Sequence, residues 1–462
     1  MLYLFTGGII MQHSKLSSIL LAMDSLSIYR GLLENRVLSK LKTLLISLHK
    51  ADVELRELIN SYYEFYFELA RENSTTMSLK DYLLDQIIFD ENPFTFQQQA
   101  SQISNSNQVL EKAAAQDLKG LQLIAQLNPA LVKAHLAELF KNDPNNTLIQ
   151  ELPEWVLESS TNTLSNHLNH IKTHLNSCQH WQDSLDELKT FHKDYGCGLF
   201  ARYFAFVWER IDGSGYIRGI DSPDPITLDE LVEYQNERSR VIENTLQFLK
   251  DFPANNVLLY GDRGTGKSST VKAILNEYHT QGLRMLEVPK AYLADFPLII
   301  RQLKNRTQKF IIFVDDLVFG DNEENYTSLK AVLEGGLESK TSNILIYATS
   351  NRRHLVKEYF KERAGLQSNN HDEEVHAGDT MQEKLSLADR FGINVVFSSP
   401  NQTKYLEIVD GIAARRNLTL DRDWLHKEAL QWALWYNGRS ARTAKQFVDW
   451  LEGHEAIKIL NN

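Results

Sequence analysis

Residues 257–278 read VLLYGDRGTGKSSTVKAILNEY, and they set the architecture of the carboxyl-terminal half of the chain. A short apolar run is followed by a glycine-rich turn and then by a helical pattern. The turn, Gly261–Ser269, fits G-x-x-x-x-G-K-[ST], in which glycines let backbone N–H groups surround phosphate oxygens because no Cβ stands in the way. The stretch therefore predicts a strand, a phosphate-binding loop and a helix in succession.

Every residue of this loop is a candidate phosphate or metal ligand. We expect Lys267 to reach the β- and γ-phosphates of a nucleotide, and the Ser268 hydroxyl to bind Mg²⁺. The predicted nucleotide-binding residues of the loop are Gly261, Asp262, Arg263, Gly264, Thr265, Gly266, Lys267, Ser268 and Ser269.

A second apolar run, FIIFVDDL at residues 310–317, ends in two acids. It is typical of a fully buried strand, and Asp315 stands where open α/β sheets place their ligands. We expect Asp315 to hold Mg²⁺ together with Ser268, and Asp316 to polarise the attacking water as general base. The alternative is that the acids only cap the following loop.

A third apolar run begins at Ile344 and ends in the polar series Thr349, Ser350 and Asn351. These short side chains could orient a water or touch a γ-phosphate. On their own they would indicate no more than a turn at the end of a strand. Their position after the glycine-rich loop and the acidic strand favours a functional interpretation.

Around these motifs, short β-rich runs alternate with amphipathic helical segments, a pattern typical of a parallel sheet built from βαβ units. The predicted strands are Val257–Tyr260, Met285–Val288, Phe310–Val314, Ile344–Ala348 and Asn394–Phe397. From Thr403 onward the pattern is helical only, with Asp421 and Ser440 as predicted N-caps and Gly438 just beyond the end of a helix.

The amino-terminal half has a different hydrophobic pattern: leucines and isoleucines recur at helical spacing from Ser14 to Arg210. Gly213, Gly215 and Gly219 follow as loop signals, and the two prolines of SPDPITLDEL, residues 222–231, indicate a linker. We therefore predict an all-α domain over residues 1–220, an α/β core over 221–401 and a helical lid over 402–462.

Composition limits the class of protein. The chain has 462 residues, 43% hydrophobic and 24% charged, which excludes a disordered or fibrous protein. Its 49 lysines and arginines against 60 acids give a net charge of −11, which argues against a protein coated in nucleic acid. Two cysteines and the lack of a membrane-length apolar run favour the cytoplasm, and Met11 is an alternative start.

The segment from about Ile226 to Leu451 resembles an AAA+ ATPase module. More narrowly, PANNVLLYGDRGTGKSSTVKA, FVDDL, YATSNRRHLV and QEKLSLADRFG are similar to an uncharacterised bacterial AAA+ family with a long helical amino-terminal region. The resemblance implies a P-loop NTPase fold of AAA+ type with a five-stranded parallel sheet, ATP and Mg²⁺ as cofactors, and a homo-oligomer. It assigns Lys267 and Ser268 to Walker A, Asp315 and Asp316 to Walker B, and Asn351 to sensor 1.

The resemblance implies further roles outside these motifs. Arg390 matches the position from which AAA+ proteins present an arginine finger to the nucleotide of a neighbouring subunit, where a guanidinium neutralises charge on the transferred phosphoryl group. Arg442 matches sensor 2, with Arg439 as the second choice. Arg390 and Arg442 could each instead be an ordinary surface arginine. The adenine pocket should involve Leu231, Val232 and Tyr234.

The sequence departs from the family pattern in places. Asp316 stands where most active AAA+ enzymes have glutamate, and its shorter side chain favours slow hydrolysis or a switch that mostly binds nucleotide. Glu233 occupies a place where many relatives have glycine. A polar insertion, Gly365–Lys384, separates the sensor strand from Arg390; its histidines and acids suit no standard metal cluster, and a solvated acidic loop is the better interpretation.

The leading hypothesis is an ATPase that couples hydrolysis to the remodelling or switching of an unknown client protein. A second hypothesis is an ATP-gated interaction or loading module with little hydrolysis. A third, less favoured, is a DNA-directed AAA+ factor, supported mainly by the basic pairs Arg352–Arg353 and Arg415–Arg416. Both pairs could equally lie close to the nucleotide or be solvated.

Overall fold

The computed structural model describes residues 14–50, 52–73, 77–99, 108–156, 166–304, 306–317, 323–334, 341–351, 388–436 and 438–460. The chain divides into two compact units, Met1–Arg202 and Tyr203–Asn462. The insertion Gly365–Lys384 and the pair Arg352–Arg353 lie outside the described residues. Within the described part, every helix is too short or too polar to cross a bilayer.

The first unit is helical. Its core consists of leucines and aromatic residues at helical spacing, such as Leu38, Leu41 and Leu45, which are fully buried. The helices are α1 (residues 14–24), α2 (Arg36–Ser47), α3 (Leu55–Glu72), α4 (Leu79–Phe89), α5 (Pro93–Gln99), α6 (Gln108–Ala125), α7 (Pro129–Leu139), α8 (Thr147–Gln150), α9 (Asn166–Ser177), α10 (Leu185–Tyr195) and α11 (Gly198–Arg202), with 3₁₀ turns at Tyr29–Glu34 and Trp181–Ser184.

The second unit is built on a sheet whose described strands number seven. They are β1 (Ala205–Ile211), β2 (Ser214–Gly219), β3 (Val257–Gly261), β4 (Leu283–Glu287), β5 (Lys309–Val314), β6 (Ile344–Ser350) and β7 (Ile393–Phe397), in the order β2-β1-β4-β5-β6-β3-β7. Within this described sheet only β1 and β2 are antiparallel; the other neighbours are parallel. β5 and β6 are buried along their whole length because they lie inside the sheet, with strands on both sides. The five strands predicted from the sequence are confirmed.

The hairpin of β1 and β2 adds two strands to the five that were expected. Asp212 and Gly213, at its turn, have φ angles of 50° and 81°, the left-handed pair that a two-residue hairpin turn needs. Gly215 lies under the ring of Trp208, where a Cβ would come within 2.1 Å of a ring carbon. Since β1 pairs with β4, the second unit begins at Tyr203, whereas we expected a boundary after residue 220.

Helices cover the sheet and form the carboxyl-terminal lid. They are α12 (Gln235–Leu249), α13 (Lys267–Tyr278), α14 (Phe296–Leu303), α15 (Glu323–Glu334), α16 (Gln402–Arg415), α17 (Arg422–Trp435) and α18 (Ala441–Leu460), with 3₁₀ turns at His279–Gln281 and Lys290–Asp295.

The predicted caps of the lid helices are confirmed. The side chain of Asp421 accepts a hydrogen bond from the amide of Trp424, and the hydroxyl of Ser440 accepts one from the amide of Thr443. Gly438 has a φ of 77° and follows α17, as expected of a helix terminator.

Candidate nucleotide-binding site

The sheet order brings the three polar strand ends together. β6 lies between β3 and β5, and all three are parallel, so their carboxyl ends share one edge of the sheet. The glycine-rich loop follows β3, Asp315 and Asp316 follow β5, and Asn351 follows β6. Open α/β sheets bind their ligands at this carboxyl edge.

Lys267 is the best-enclosed cation of the loop, with a side chain that is almost buried. Its Nζ donates hydrogen bonds to the carbonyl oxygens of Gly261 (3.0 Å) and Asp262 (2.7 Å) and to Oδ1 of Asn351 (3.1 Å). Burial lowers the pKa of Lys267, while Asp262 and the acids of β5 favour the charged form. The ammonium is therefore held at the floor of the loop by acceptors and charges from β3, β5 and β6.

Asp315 is surrounded by hydroxyl groups. The hydroxyl of Ser268 donates to its Oδ1 at 2.6 Å, and that of Thr349 donates to the same atom at 2.5 Å. Mg²⁺ prefers oxygen ligands and is held by one or two protein groups together with phosphates and waters. The adjacent oxygens of Ser268 and Asp315 fit that requirement.

Asp316 has an unusual backbone. Its φ is 51°, a left-handed conformation, and its amide donates to the hydroxyl of Thr349 at 2.9 Å. Its Oδ1 accepts a hydrogen bond of 2.6 Å from Nδ2 of Asn351. The carboxylate is exposed and faces the same cavity as Lys267. Asn351 thus contacts both the lysine and the second acid.

A cavity of about 930 Å³ adjoins these groups. Most of the residues predicted from the sequence line it: Leu231, Val232, Tyr234, Arg263, Gly264, Thr265, Gly266, Lys267, Ser268, Ser269, Asp315, Asp316, Asn351 and Arg442. Gly261 and Asp262 do not line it. Their carbonyl oxygens accept the hydrogen bonds from Lys267, and Oδ2 of Asp262 also accepts one of 2.8 Å from the amide of Ser399.

One end of the cavity is apolar. Ile226, Leu231 and Val232 line it from the segment before α12, and Ile408 and Ile412 line it from α16. Apolar walls of this kind are typical of sites that bind small organic ligands.

The backbone next to this apolar end is left-handed at two residues that are not glycine. Glu233 and Tyr234 have φ angles of 63° and 59°, and the Tyr234 hydroxyl donates to the carbonyl of Ser398 at 2.7 Å. Glycine adopts such a backbone without strain. Glu233 adopts the same left-handed backbone, but with the steric strain that its Cβ introduces.

The lid contacts the glycine-rich loop directly. The amide of Arg442 donates to the carbonyl oxygen of Gly264 at 3.0 Å. A Cβ on Gly264 would lie 2.9 Å from Oγ of Ser440 and 3.1 Å from Cβ of Arg442. Arg439 is exposed and does not line the cavity, so of the two candidate sensor-2 arginines it is Arg442 that lies beside the glycine-rich loop.

Arg390 lies away from the cavity. It precedes β7, whose first residue, Ile393, pairs with Val257 at the start of β3, while Phe397 pairs with Gly261 at the loop. Four residues of strand separate these two edges by about 13 Å. Arg390 is therefore at the edge of the sheet opposite the glycine-rich loop of its own chain.

Sequence reasoning missed several lining residues. Ile408, Ile412 and Arg415 lie on one face of α16 at spacings of four and three, but the sequence does not say which face meets the loop. No motif pointed to Arg238. The other unanticipated lining residues are Ile226, Glu230, Thr270, Ala441 and Lys445, whereas Arg415 and Arg416 are recognisable in the sequence as a basic pair.

The strand order, the glycine-rich loop after β3, the acids after β5 and the helical lid define a P-loop NTPase of AAA+ type. The chain belongs to the family described as "Protein of unknown function (DUF815)", which matches residues 201–455, more than half of the sequence.

Two curated relatives share part of this region. A putative 26S proteasome regulatory subunit homolog of Methanocaldococcus jannaschii is 24% identical over 228 residues, which cover 44% of this chain and 61% of the relative. A 26S proteasome regulatory subunit 4 homolog of Schizosaccharomyces pombe is 37% identical over 70 residues, 14% of this chain and 16% of the relative. The chain therefore spans less than two thirds of either relative.

Among solved structures, the Thermotoga maritima RuvB Holliday junction branch migration motor is similar at 13% identity with a TM-score of 0.31. That similarity covers 49% of this chain and 72% of RuvB. A second RuvB structure, that of a point mutant, has 15% identity and a TM-score of 0.33 over 48% of this chain and 62% of that one.

Proposed function

We propose that this protein binds ATP with Mg²⁺ at the cavity beside the P-loop and hydrolyses it. The observation that carries the proposal is the convergence of Lys267, the Ser268–Asp315 pair and the Asp316–Asn351 pair at one end of the cavity. A phosphate-binding cation, a metal-binding oxygen pair and a candidate base are the parts that phosphoryl transfer to water requires.

Each residue has a defined task in this mechanism. The loop amides and Lys267 hold the β- and γ-phosphates, and Asp316 orients a water in line with the γ-phosphate and takes its proton. Asn351 positions that carboxylate relative to the lysine. Mg²⁺ bound at Ser268 and Asp315 would neutralise charge on the phosphates.

Arg390 acts on the nucleotide of a neighbouring copy in this proposal. It lies at the far edge of the sheet from its own P-loop, so it cannot serve its own site without a large movement. An arginine supplied in trans stabilises charge on the transferred group. The proposed active form is therefore a homo-oligomer with shared sites.

The position of the lid would depend on which nucleotide is bound. Because the Arg442 amide is hydrogen-bonded to Gly264, a shift of the loop on phosphate release moves the start of α18. We infer that this movement remodels or switches a client protein, and that the helical unit Met1–Arg202 provides the docking surface.

A second function, an ATP-gated interaction or loading module with little turnover, is favoured by one observation. Asp316 is one methylene shorter than glutamate, and Asn351 already engages its Oδ1. A nucleic-acid-directed function has less support, because Arg415 and Arg416 line the nucleotide cavity.

Steady-state phosphate release tests the proposal. The variants are Lys267→Ala, Asp316→Asn and Arg390→Ala, with Lys272→Ala as a matched control from the same helix outside the cavity. We expect turnover in the wild type and in Lys272→Ala, rising with protein concentration, and none in Lys267→Ala or Asp316→Asn. The concentration dependence should disappear in Arg390→Ala.

Two results would contradict it. Wild type that releases no more phosphate than Lys267→Ala at any protein concentration, while still binding ATP, would establish the gating alternative. Wild type that binds no ATP would overturn both candidates.

A further inference from the structure

Arg238 is a buried cation that the proposed hydrolysis does not use. It lies on α12, one helical turn after Tyr234, and its amide is hydrogen-bonded to the carbonyl of Tyr234 at 2.9 Å. The residue is only 8% exposed, yet it lines the nucleotide cavity. Among the residues that the structure describes, none forms a hydrogen bond or ion pair with its guanidinium.

Such an arrangement is unusual, because arginine side chains with so little exposure are mostly paired. The guanidinium nitrogens are not sealed in the core but open onto the cavity. The group has five N–H donors and no acceptor, so only an acceptor can satisfy it. Burial lowers the pKa of Arg238, and the charge of Arg415 acts in the same direction. Glu233 and Glu237 oppose this effect through their charge, although neither forms an ion pair with it. The donors of Arg238 are thus available to a ligand in the cavity.

The neighbours of Arg238 place it at the apolar end of the cavity. The charge of Arg415 acts on Arg238. Arg415 shares a face of α16 with Ile408 and Ile412, and all three line the cavity. Val232 packs against the same lid helix, because a Cβ at Gly411 would lie 2.8 Å from its side chain. Arg238 follows Val232 by six residues and lines the same cavity, which places it with the apolar walls.

We propose that Arg238 is a specificity-determining residue that recognises the purine base of the bound nucleotide by donating hydrogen bonds to its acceptor atoms. This assignment rests on the proposed nucleotide-binding function. Guanine offers a guanidinium two adjacent acceptors, O6 and N7, whereas adenine offers N7 beside an amino donor. The pocket therefore admits guanine as well as adenine, and Arg238 contributes more to the binding of GTP than of ATP.

The test compares three probes that share a phosphate chain: ATP, GTP and inorganic tripolyphosphate, each with Mg²⁺ and titrated against the full-length protein. Arg238→Met removes the donors but keeps an aliphatic stem for packing. Arg240→Met is the matched control, because Arg240 lies on the same helix, is exposed and does not line the cavity. Thermal unfolding of each variant without ligand verifies that the fold is retained.

In Arg238→Met we expect GTP affinity to fall about tenfold or more and ATP affinity to fall less, with tripolyphosphate changed by less than about twofold. Arg240→Met should match the wild type with all three probes. Arg238→Lys should remain weak for GTP, since a lysine lacks the planar pair of donors.

The assignment is overturned if Arg238→Met binds both nucleotides as the wild type does, or if tripolyphosphate loses as much affinity as GTP, which would make Arg238 a phosphate ligand. Equal losses for ATP and GTP would also overturn the preference for guanine acceptors. These results differ from a failure of the proposed function, in which the wild type binds none of the probes or Lys267→Ala binds them unchanged.

Discussion

Asn351 donates a hydrogen bond of 2.6 Å from Nδ2 to Oδ1 of Asp316, and its own Oδ1 accepts one of 3.1 Å from Lys267. One amide at the end of β6 thereby joins the candidate base of β5 to the lysine of the P-loop. The order of the strands is responsible, since β6 lies between β3 and β5.

Asn351→Ala should separate binding from hydrolysis. The loop amides and Lys267 remain, so ATP affinity should change by less than about threefold, while turnover should fall on the order of 10²-fold because the base loses its orientation. Filter binding and phosphate release measure the two quantities. Unchanged turnover would mean that Asn351 does not position Asp316.

Asp316→Glu tests whether the short acid limits the rate. The extra methylene should bring the carboxylate closer to the water and raise turnover about threefold to tenfold. The φ of 51° at this position should cost the variant about 1 kcal/mol of unfolding free energy, because aspartate tolerates a left-handed backbone better than glutamate. If Asp316→Glu binds ATP but turns it over more slowly than the wild type, the distance from the carboxylate to the water does not limit the rate.

Gly264→Ala should loosen the lid. The new Cβ would meet Ser440 and Arg442, and its φ of 75° adds strain, together about 2 kcal/mol or more. Gly266→Ala is the matched control, since its φ is 92° but a Cβ there meets no atom within 4 Å. Thermal unfolding without nucleotide should therefore show a larger loss for Gly264→Ala. Equal losses would indicate that the lid does not contact the loop.

Gly215→Ala should destabilise the hairpin by about 1–3 kcal/mol, since the Cβ would overlap the ring of Trp208. Trp208 cannot move freely, because it is fully buried and its Nε1 donates to Asp295 at 2.8 Å. In a Trp208→Phe background the same substitution should cost less, because the clashing part of the ring is absent. Chemical denaturation of the four proteins provides the comparison, and additive effects would refute the contact.

His192 should make stability depend on pH. Burial lowers the pKa of this fully buried imidazole to about 4. A group whose pKa is lower in the folded state destabilises that state when it must become charged. The stability is therefore complete above about pH 6.5 and should fall by about 3 kcal/mol as the pH drops towards 4.

His192→Asn should remove most of this dependence, whereas the same substitution at the exposed His180 should leave it. Denaturation at a series of pH values measures both. A wild-type profile that is flat between pH 6.5 and 4 would contradict the prediction.

Local patterns in the sequence predicted much of the second unit. The five parallel strands and the caps at Asp421 and Ser440 were recognisable because each depends on residues close together in the chain. The hairpin has an equally local signal in Asp212–Gly213, but the glycines at 213, 215 and 219 together favour a loop in the sequence alone. The P-loop and the acids of β5 were located by motif.

The sequence by itself determined which residue types could bind phosphate, since the loop pattern and its flanking strand and helix form a continuous stretch. Only the tertiary structure decided that Asn351 bridges Lys267 and Asp316, that the lid contacts Gly264, and that Arg238 faces the cavity. The physical reason is that these contacts join residues far apart in the chain, 84 positions for Lys267 and Asn351. Strand order and helix packing set such distances without leaving a periodic trace in the sequence.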